Sequence, residues 1–284
     1  MTQDIHELKK LALRIRIGSL EAIKARGFGH VGGSLSIADA LAVLYGAVMR
    51  VDPKNPGWPE RDKLVCSKGH AGPAIYAALG LLGYFPYEDI KTLNQPGTRF
   101  PSHCDRNMTP GVDMTTGSLG QGTSLAAGMA LGDRLLGRDS RMYLIVGDGE
   151  LNEGQPWEAF MFMSAKQLDN LVVLVDWNKK QLDGPVQDIN DPLDFKRKFE
   201  AFGFHTQQVD GKDIEGILKA IRATEGVKGR PHAIVLDSIK GAGVKEVEDT
   251  MANHSMTVAP EVYDRWLDGL RHELAALEGE YAHA

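Results

Sequence analysis

The chain is poor in cysteine and has no cysteine motif. Cys66 and Cys104 are the only two among its 284 residues, and they form neither a Cys-x-x-Cys pair nor a zinc-ligand spacing. A disulfide-stapled scaffold and a zinc site built from cysteines are therefore excluded. We expect both thiols to be reduced, as in a protein of the cytoplasm.

The sequence also lacks a long apolar run, a basic run and a signal-peptide core. No stretch approaches the roughly twenty apolar residues that span a bilayer, and the charged first residues do not resemble a secretion signal. The net charge of −6, without clustered lysine and arginine, argues against a nucleic-acid partner. With 43% hydrophobic and 25% charged residues, the composition is that of a globular protein. We expect a cytoplasmic protein with no membrane or nucleic-acid partner.

The organisation of the chain indicates one α/β domain covering residues 1–284. No internal repeat, low-complexity linker or change in composition marks a boundary. From residue 142 onward, short apolar runs alternate with helical patterns, which is typical of a doubly wound, mainly parallel sheet with helices on both faces. The predicted strands there are 142–146, 171–175, 204–209 and 232–237, and the predicted helices are 155–167, 192–202, 214–225 and 259–278.

The amino-terminal half has helical patterns, one short strand and a long irregular stretch. The predicted helices are 5–25, 36–49, 72–82, 87–92 and 122–136, and the predicted strand is 63–67. Residues 96–122 show little periodicity and are rich in glycine, proline, threonine and asparagine. Because a long irregular stretch inside a compact domain is usually functional, we expect site residues within it.

Two polar segments follow neighbouring predicted strands. Gly147-Asp148-Gly149 ends the strand that begins at Met142, and Asn178 follows the strand 171–175. Ligands of open α/β sheets bind at the carboxyl ends of the strands, where these segments would lie together. A carboxylate and an amide oxygen suit Mg²⁺, and glycines let a phosphate approach the backbone. Singly, each residue would also suit an ordinary turn or a helix cap, whereas the pair predicts a site for a phosphate and its metal.

This pattern resembles the diphosphate-binding signature of thiamine diphosphate enzymes, and further motifs resemble those of transketolases in particular. They keep the transketolase order from residue 29 to residue 254. The motifs are Gly29–Ser36, Ser67–Ala71, Pro101–His103, Thr115–Gly122, and Lys240–Val244 followed by His254. The resemblance covers nearly the whole chain and implies a thiamine diphosphate-binding fold.

The resemblance implies Mg²⁺ as the metal, with Ca²⁺ or Mn²⁺ as alternatives. Its ligands would be Asp148, Asn178 and the main-chain carbonyl of Lys180. Backbone N–H groups of Gly149 and Glu150, near a helix start, would face the diphosphate.

The resemblance places the remaining cofactor contacts in the loops. Gly117 and Leu119 would lie beside the aminopyrimidine of the cofactor. They would also suit a glycine-rich turn before a helix.

Four of the nine histidines lie in loops that we expect at the carboxyl edge of the sheet. By resemblance, His70 and His254 contact the diphosphate, and His254 also belongs to the catalytic set. His30 and His103 would face the oxygens of the donor and acceptor sugars. Histidine suits this role because its pKa lies near neutrality, so it can donate and accept protons during turnover.

Glu153 matches a family glutamate at the subunit interface, which links the cofactor sites. The alternative is a carboxylate in the first turn of a helix, where the helix dipole favours it.

Transketolases join this domain to a pyrimidine-binding domain and a C-terminal domain, and the sequence matches only the first. We therefore expect the N-terminal subunit of a split transketolase, inactive alone, that forms an α2β2 assembly with a complementary C-terminal subunit. The resemblance implies transfer of a two-carbon ketol unit from a ketose phosphate to an aldose phosphate.

The run Ala252-Asn253-His254-Ser255 departs from the Trp-His-Gly-Lys run usual in transketolases. An unusual sugar, such as a branched or modified ketose phosphate, would explain the change, and so would neutral drift. Other hypotheses are a subunit like 1-deoxyxylulose-5-phosphate synthase or a 2-oxoacid dehydrogenase α subunit, and a non-catalytic, cofactor-binding regulatory protein. A dinucleotide-binding site is disfavoured because Asn152 stands where that motif needs its third glycine.

Overall fold

A computed structural model describes residues 4–281, and a parallel sheet lies at its centre. The strands are β1 (Phe28–Gly29), β2 (Lys63–Cys66), β3 (Met142–Gly147), β4 (Leu171–Trp177), β5 (His205–Asp210), β6 (His232–Asp237) and β7 (Met256–Thr257). Five of them form the sheet in the order β2-β3-β4-β6-β5, with every neighbouring pair parallel. β1 and β7 form a separate antiparallel ladder.

Helices cover both faces of the sheet, as the predicted fold class requires. They are α1 (Ile5–Arg26), α2 (Val31–Leu35), α3 (Ala38–Val43), α4 (Gly72–Leu82), α5 (Gln121–Leu135), α6 (Gly154–Ala165), α7 (Val186–Asn190), α8 (Phe195–Ala201), α9 (Ile214–Ala223), α10 (Lys245–Asp249) and α11 (Pro260–Tyr281). Helices α1, α3, α4, α9 and α11 pack on one face, and α5, α6 and α8 pack on the other. The predicted α/β fold is confirmed.

The central strands are mainly apolar because both of their faces are covered. Tyr143 and Ile145 of β3 point into the first hydrophobic cluster, whereas Leu144 and Val146 point into the second. β5, at the edge of the sheet, is only partly buried and carries threonine and glutamine. The apolar runs of β3 and β4 thus result from two-sided burial.

The carboxyl ends of four strands place polar residues at one edge of the sheet. β2, β3, β4 and β6 are followed directly by Ser67, Asp148, Asn178 and Ser238. Because the strands are parallel, these residues lie at the same edge, where ligands of such sheets bind.

The structure corrects two expectations for the segment around residue 40. The predicted helix 36–49 was wrong in its start, because helical structure begins at α2 and continues through α3 into a π-helical turn, Leu44–Val48. The expectation that no stretch is long and apolar enough to cross a membrane was also wrong. Val31–Val48 has 18 residues and a mean hydropathy of 1.6, but 83% of it is buried inside the fold, as in a core helix.

Candidate active site

A cavity of about 260 Å³ opens at the carboxyl edge of the sheet. Every residue that the sequence analysis assigned to a site, except Glu153, lines it. These residues are His30, His70, His103, Gly117, Leu119, Asp148, Gly149, Glu150, Asn178, Lys180 and His254. Lys68, Gly147, Gln181, Leu182 and Lys240 complete the lining. The fold therefore gathers loops from both halves of the chain around one space.

The four predicted histidines form a cluster with His30 at its centre. The His30 ring centroid lies 5.4 Å from that of His70, 5.4 Å from that of His103 and 5.2 Å from that of His254. The rings of His70 and His254 are 4.7 Å apart. Within residues 4–281, no three histidine, cysteine, aspartate or glutamate side chains are grouped to hold a metal ion. The cluster brings four imidazole rings to one wall of the cavity.

Burial keeps these imidazoles neutral at pH 7. It lowers the pKa of His30 to about 4, with help from nearby His103 and Lys240, and the pKa of His254 to about 3, with help from Lys240. Burial also lowers the pKa of His70 and of His103. A neutral imidazole has one donor nitrogen and one acceptor nitrogen, so each ring can either give or take a hydrogen bond.

Two glycines make room for these histidines. A Cβ on Gly33 would lie 2.9 Å from Nε2 of His70. Gly117 has φ +149°, and a Cβ there would lie 3.2 Å from the His103 ring. Both positions require glycine, because any side chain there would displace a histidine ring. The hydroxyl of Tyr76 fixes the loop from the other side by donating to the carbonyl of His103 at 3.2 Å.

Asp148 follows β3 directly and is only 2% exposed. Its Oδ1 accepts a hydrogen bond from the N–H of Gly149 at 2.8 Å, and its Oδ2 accepts one from the N–H of Lys179 at 2.6 Å. Burial, together with the charge of Asp176, nevertheless raises the pKa of Asp148 to about 7. The charge of Lys240 offsets this rise only in part, and a bound divalent ion would favour the ionised carboxylate further.

Asn178 is oriented by a network around Asp176, to which the sequence analysis gave no role. Asp176 is fully buried and accepts hydrogen bonds from Asn178 Nδ2 at 2.7 Å, Ser36 Oγ at 2.8 Å and Lys68 Nζ at 2.5 Å. With Nδ2 held there, Oδ1 of Asn178 accepts from the N–H of Lys180 at 3.2 Å. Burial alone would raise the pKa of Asp176, but its ion pair with Lys68 holds the pKa below the ordinary value.

A sequence signal for this network existed. Asp176 is the single charged residue in the otherwise apolar strand β4, LVVLVDW. A carboxylate inside such a strand must find a buried partner, and Lys68 is the partner.

Lys240 is another residue to which the sequence analysis gave no separate role. Its Nζ donates to the main-chain carbonyl of Lys180 at 2.8 Å and lies 3.2 Å from Nδ1 of His254. Burial and the charge of Lys68 lower the pKa of Lys240 to about 8. The ammonium group thus bonds the carbonyl that the resemblance assigned to the metal.

The side chain of Glu150 braces the site. Its carboxylate accepts hydrogen bonds from the hydroxyl of Ser67, from the N–H of Gly120 at 2.8 Å and from the N–H of Gly147 at 3.1 Å. It therefore joins the ends of β2 and β3 to the turn before α5. Burial raises the pKa of this carboxyl group. The role expected for the Glu150 backbone N–H stays a prediction.

The donor set fits a diphosphate paired with a divalent cation. Lys240 and the neutral His70 and His254 present N–H donors, whereas Asp148 presents a buried carboxylate whose pKa is raised. At Gly149 a Cβ would lie 2.9 Å from the side chain of Gln181, so a larger residue there would displace a side chain that lines the cavity. A diphosphate would use the N–H donors, and its metal would complete Asp148.

The cavity is rimmed by exposed apolar side chains, with Glu153 outside it. Leu119 and Leu182 line the cavity and are 38% and 66% exposed. Glu153 is exposed at the N-cap of α6. Its expected place at a subunit interface stays a prediction.

Comparison with known proteins gives a family match over most of the chain. The family model for the transketolase thiamine diphosphate binding domain matches residues 8–264.

Several relatives match over nearly their whole length. A 6-deoxy-6-sulfo-D-fructose transketolase subunit from Clostridium sp. (strain MSTE9) is 49% identical over 263 residues, which cover 93% of this chain and 96% of that protein. One of the apulose-4-phosphate transketolase subunits, from Actinobacillus succinogenes, is 35% identical and covers 96% of this chain and 98% of that protein.

Solved structures show the same fold in longer chains. Transketolase from Leishmania mexicana superimposes with a TM-score of 0.85 at 29% identity, covering 100% of this chain and 47% of that one. Transketolase from Campylobacter jejuni gives a TM-score of 0.84 at 28% identity, covering 98% of this chain and 48% of that one. The chain thus spans about half the length of the solved structures that it matches.

Proposed function

The chain belongs to the transketolase family through its thiamine diphosphate-binding domain, and we propose that it is one subunit of a two-subunit transketolase. In this proposal the enzyme moves a two-carbon ketol unit from a ketose phosphate, or a related ketose, to an aldose phosphate. One observation carries the proposal: the predicted cofactor and histidine residues, drawn from residues 30 to 254, line a single cavity.

The cofactor would be held at the ends of β3 and β4. Asp148, Asn178 and the carbonyl of Lys180 would bind Mg²⁺, and His70 and Lys240 would donate to the diphosphate. Lys240 would have to exchange its bond to the Lys180 carbonyl for one to a phosphate oxygen. Gly117 and Leu119 would lie beside the aminopyrimidine. When bound, thiamine diphosphate supplies the electron sink that carbon–carbon cleavage needs.

The chain's own contribution to the reaction would be proton handling and orientation. His30 and His103, neutral and in contact, would hold the sugar oxygens by hydrogen bonds and pass the protons that these oxygens lose or gain. Their low pKa values support this role, because a ring that is neutral at pH 7 can accept as well as donate.

We further propose that the cavity is completed by a complementary subunit with a pyrimidine-binding domain, in an α2β2 assembly in the cytoplasm. The exposed leucines at the rim support this, because apolar side chains at the mouth of a polar site indicate a covering surface. The names of two full-length relatives as transketolase subunits support it as well. Glu153, exposed beside the rim, would face that interface.

For the donor we propose a sulfonated ketose, of which 6-deoxy-6-sulfofructose is the first to test. The supporting observation is the 49% identity to a subunit named for that sugar, against 35% to one named for apulose 4-phosphate. Sulfonate and phosphate are both tetrahedral anions, so ketose phosphates are the matched alternative in any assay.

The test is to capture the tagged chain, and an Asp148→Ala control, from its native cell extract. Each eluate is then assayed with thiamine diphosphate, Mg²⁺, an aldose phosphate acceptor, and either sulfofructose, fructose 6-phosphate or a 2-oxo acid as donor. We expect the wild-type chain to capture a partner of similar size. Ketol transfer should occur in the wild-type eluate and be absent from the Asp148→Ala eluate. Turnover of the 2-oxo acid would favour another class of thiamine diphosphate enzyme, and a partner without turnover would favour a regulatory role. Appreciable activity of the single purified chain would contradict the need for a partner.

A further inference from the structure

Asn253 holds the loop that carries His254. Its side chain is fully buried, and its Nδ2 donates to the carbonyl of Lys240 at 3.0 Å and to that of Val247 at 2.8 Å. Its own main-chain carbonyl accepts from the N–H of Gly32 at 2.9 Å. One residue thus ties together the loop after β6, helix α10 and the loop that carries His30.

Gly32 is the point where these segments meet. Its carbonyl accepts a hydrogen bond from the N–H of Gly241 at 3.0 Å. A Cβ on Gly32 would lie 2.6 Å from the main-chain oxygen of Asn253, and 2.9 Å from both Oδ1 of Asn253 and Cγ of Lys240. The buried Oδ1 has no hydrogen-bond partner within residues 4–281, and it fills the space of the missing side chain. We call Gly32, Lys240 and Asn253 the Asn253 junction.

The β1–β7 ladder holds the same two loops on the far side of the histidines. Phe28 pairs with Thr257, and Gly29 pairs with Met256. His30 lies between this ladder and Gly32, and His254 lies between Asn253 and the ladder. The main chain is therefore anchored on both sides of each histidine, and the two ring centroids lie 5.2 Å apart in an edge-to-face arrangement.

The Asn253 junction also places the side chain of Lys240, whose Nζ lies 3.2 Å from Nδ1 of His254. A lysine ammonium group has three donors and no acceptor, so Nδ1 must accept and carries no proton. In a neutral ring the proton then lies on Nε2, because the bond at one nitrogen decides which nitrogen is protonated.

We propose that Asn253 is a positioning residue, which holds the main chain of Lys240 so that its ammonium group fixes His254 as an Nε2–H donor. Asn253 is absent from the cavity lining, so its effect on a ligand would come through the geometry of Lys240 and His254 and not through contact with the sugar. The meaning for catalysis rests on the proposed function, in which this donor binds an oxygen of the cofactor or the sugar. The geometry itself does not depend on that function.

The first test measures the tautomer of His254 in the full-length chain. Long-range ¹H–¹⁵N spectra at pH 7 distinguish protonated from unprotonated ring nitrogens, and the His254 signals are assigned by their loss in His254→Gln. We expect wild-type His254 to be protonated on Nε2, and Asn253→Ala to show averaged shifts for its two nitrogens. Ser255→Ala, an exposed neighbour, is the control and should keep the wild-type pattern. Wild-type protonation on Nδ1, or an unchanged pattern in Asn253→Ala, overturns the proposal.

A second variant covers the case in which Asn253→Ala does not fold. Asn253→Ser keeps one hydroxyl donor, so it can retain part of the contact with the Lys240 and Val247 carbonyls. We expect its His254 shifts to move in the same direction as those of the alanine variant, by a smaller amount. Shifts equal to wild type would count against the proposal.

The assembled enzyme gives a separate readout. A misplacement of about 1 Å can lower turnover about 100-fold, so we expect Asn253→Ala to lower kcat by about that factor. The KM values for sugar and cofactor should change less than about threefold, because positioning affects the reacting geometry more than ground-state binding. A rise in KM at constant kcat would contradict a positioning role. If wild type with its partner has no ketol transfer, the proposed function fails, and the tautomer experiment still decides the role of Asn253.

Discussion

Two buried carboxylates at opposite edges of the sheet show how differently this fold treats the same chemical group. Asp133, at the amino edge, is 6% exposed and accepts hydrogen bonds from Lys63 Nζ at 2.5 Å, Ser140 Oγ at 2.7 Å and Arg138 at 3.0 Å. Burial alone would raise the pKa of Asp133, but these three bonds hold it below the ordinary value. The chain itself supplies the cations and the hydroxyl that stabilise the ionised form of this carboxylate.

Asp148, at the carboxyl edge, accepts two hydrogen bonds within residues 4–281, both from backbone N–H groups, and its pKa rises to about 7. The difference separates a carboxylate whose ionised form the fold stabilises from one whose ionised form the fold disfavours, as expected of the metal ligand proposed above. It indicates that a raised pKa, in a buried carboxylate without close side-chain donors, marks a candidate functional group.

The largest expected effect comes from removing the carboxylate at the carboxyl edge. Asp148→Ala in the assembled enzyme should lower kcat/KM by about 1,000-fold or more, because losing the metal that anchors the diphosphate would remove about 4 kcal/mol or more of cofactor binding. Titration calorimetry with thiamine diphosphate and Mg²⁺ should show the matching loss of cofactor affinity. Near-normal affinity would mean that Asp148 does not hold the metal.

A histidine from each edge gives the next comparison. His103→Ala should lower kcat about 100-fold with little loss of cofactor affinity, as expected for a group that moves protons. His232 begins β6 at the amino edge, and its Nε2 lies 3.2 Å from the Asp169 carbonyl. His232→Ala should lower the melting temperature and leave kcat of the folded enzyme unchanged. A loss confined to cofactor affinity in His103→Ala would contradict its assignment.

Stability should respond in opposite directions at the two carboxylates. Asp133→Asn should lower the free energy of unfolding by about 1–3 kcal/mol, because it weakens a buried, hydrogen-bonded ion pair. The fold raises the pKa of Asp148 from 3.8 to about 7, so the unfolded chain releases this proton first. Stability therefore falls as the pH rises from about 4 to about 7, and the full loss remains above pH 7. Asp148→Asn should therefore raise the melting temperature at pH 8 without cofactor and metal. Lower stability in both variants would contradict the conclusion that ionised Asp133 stabilises the fold and ionised Asp148 destabilises it.

The smallest effect is a pH dependence from the histidine cluster. The pKa of His254 is lowered to about 3 in the fold, whereas an unfolded histidine titrates near 6.5. As the pH falls below 6.5 the unfolded chain takes up a proton that folded His254 does not, so stability falls toward about pH 3. His254→Gln should remove this contribution and gain stability relative to wild type between pH 6.5 and 4. Denaturant unfolding at several pH values measures it, and a difference independent of pH would contradict it.

The sequence was sufficient to predict the loops around the cavity because their glycines and histidines occur as local runs. Gly33 and Gly117 are needed where a Cβ would reach His70 or His103, and such close approaches leave glycine-rich motifs in the sequence. The alternating strands and helices were predictable for a similar reason, since two-sided burial leaves unbroken apolar runs.

The sequence did not reveal the interactions that join distant segments. Asp176 pairs with Lys68, and Asn253 bonds Lys240 and Val247, through contacts that only the folded sheet creates. The ladder of β1 and β7 was missed because two-residue strands have no periodicity. The helix at 36–49 was misplaced because its start had no capping pattern at α2, where His30 makes no side-chain cap.

The pairing of β2 with β3 has a consequence for how the protein is made. Two whole helices, α4 and α5, separate these strands in the chain, and His254 lies beyond the last strand of the sheet. Contacts between such distant segments slow folding, since closing the loop between them costs entropy before the contacts stabilise the fold. The binding site is thus finished late, after nearly the whole chain has been synthesised. Cofactor present during refolding should therefore bind only folded molecules. It should raise the folded fraction at equilibrium and leave the rates of the early folding steps unchanged.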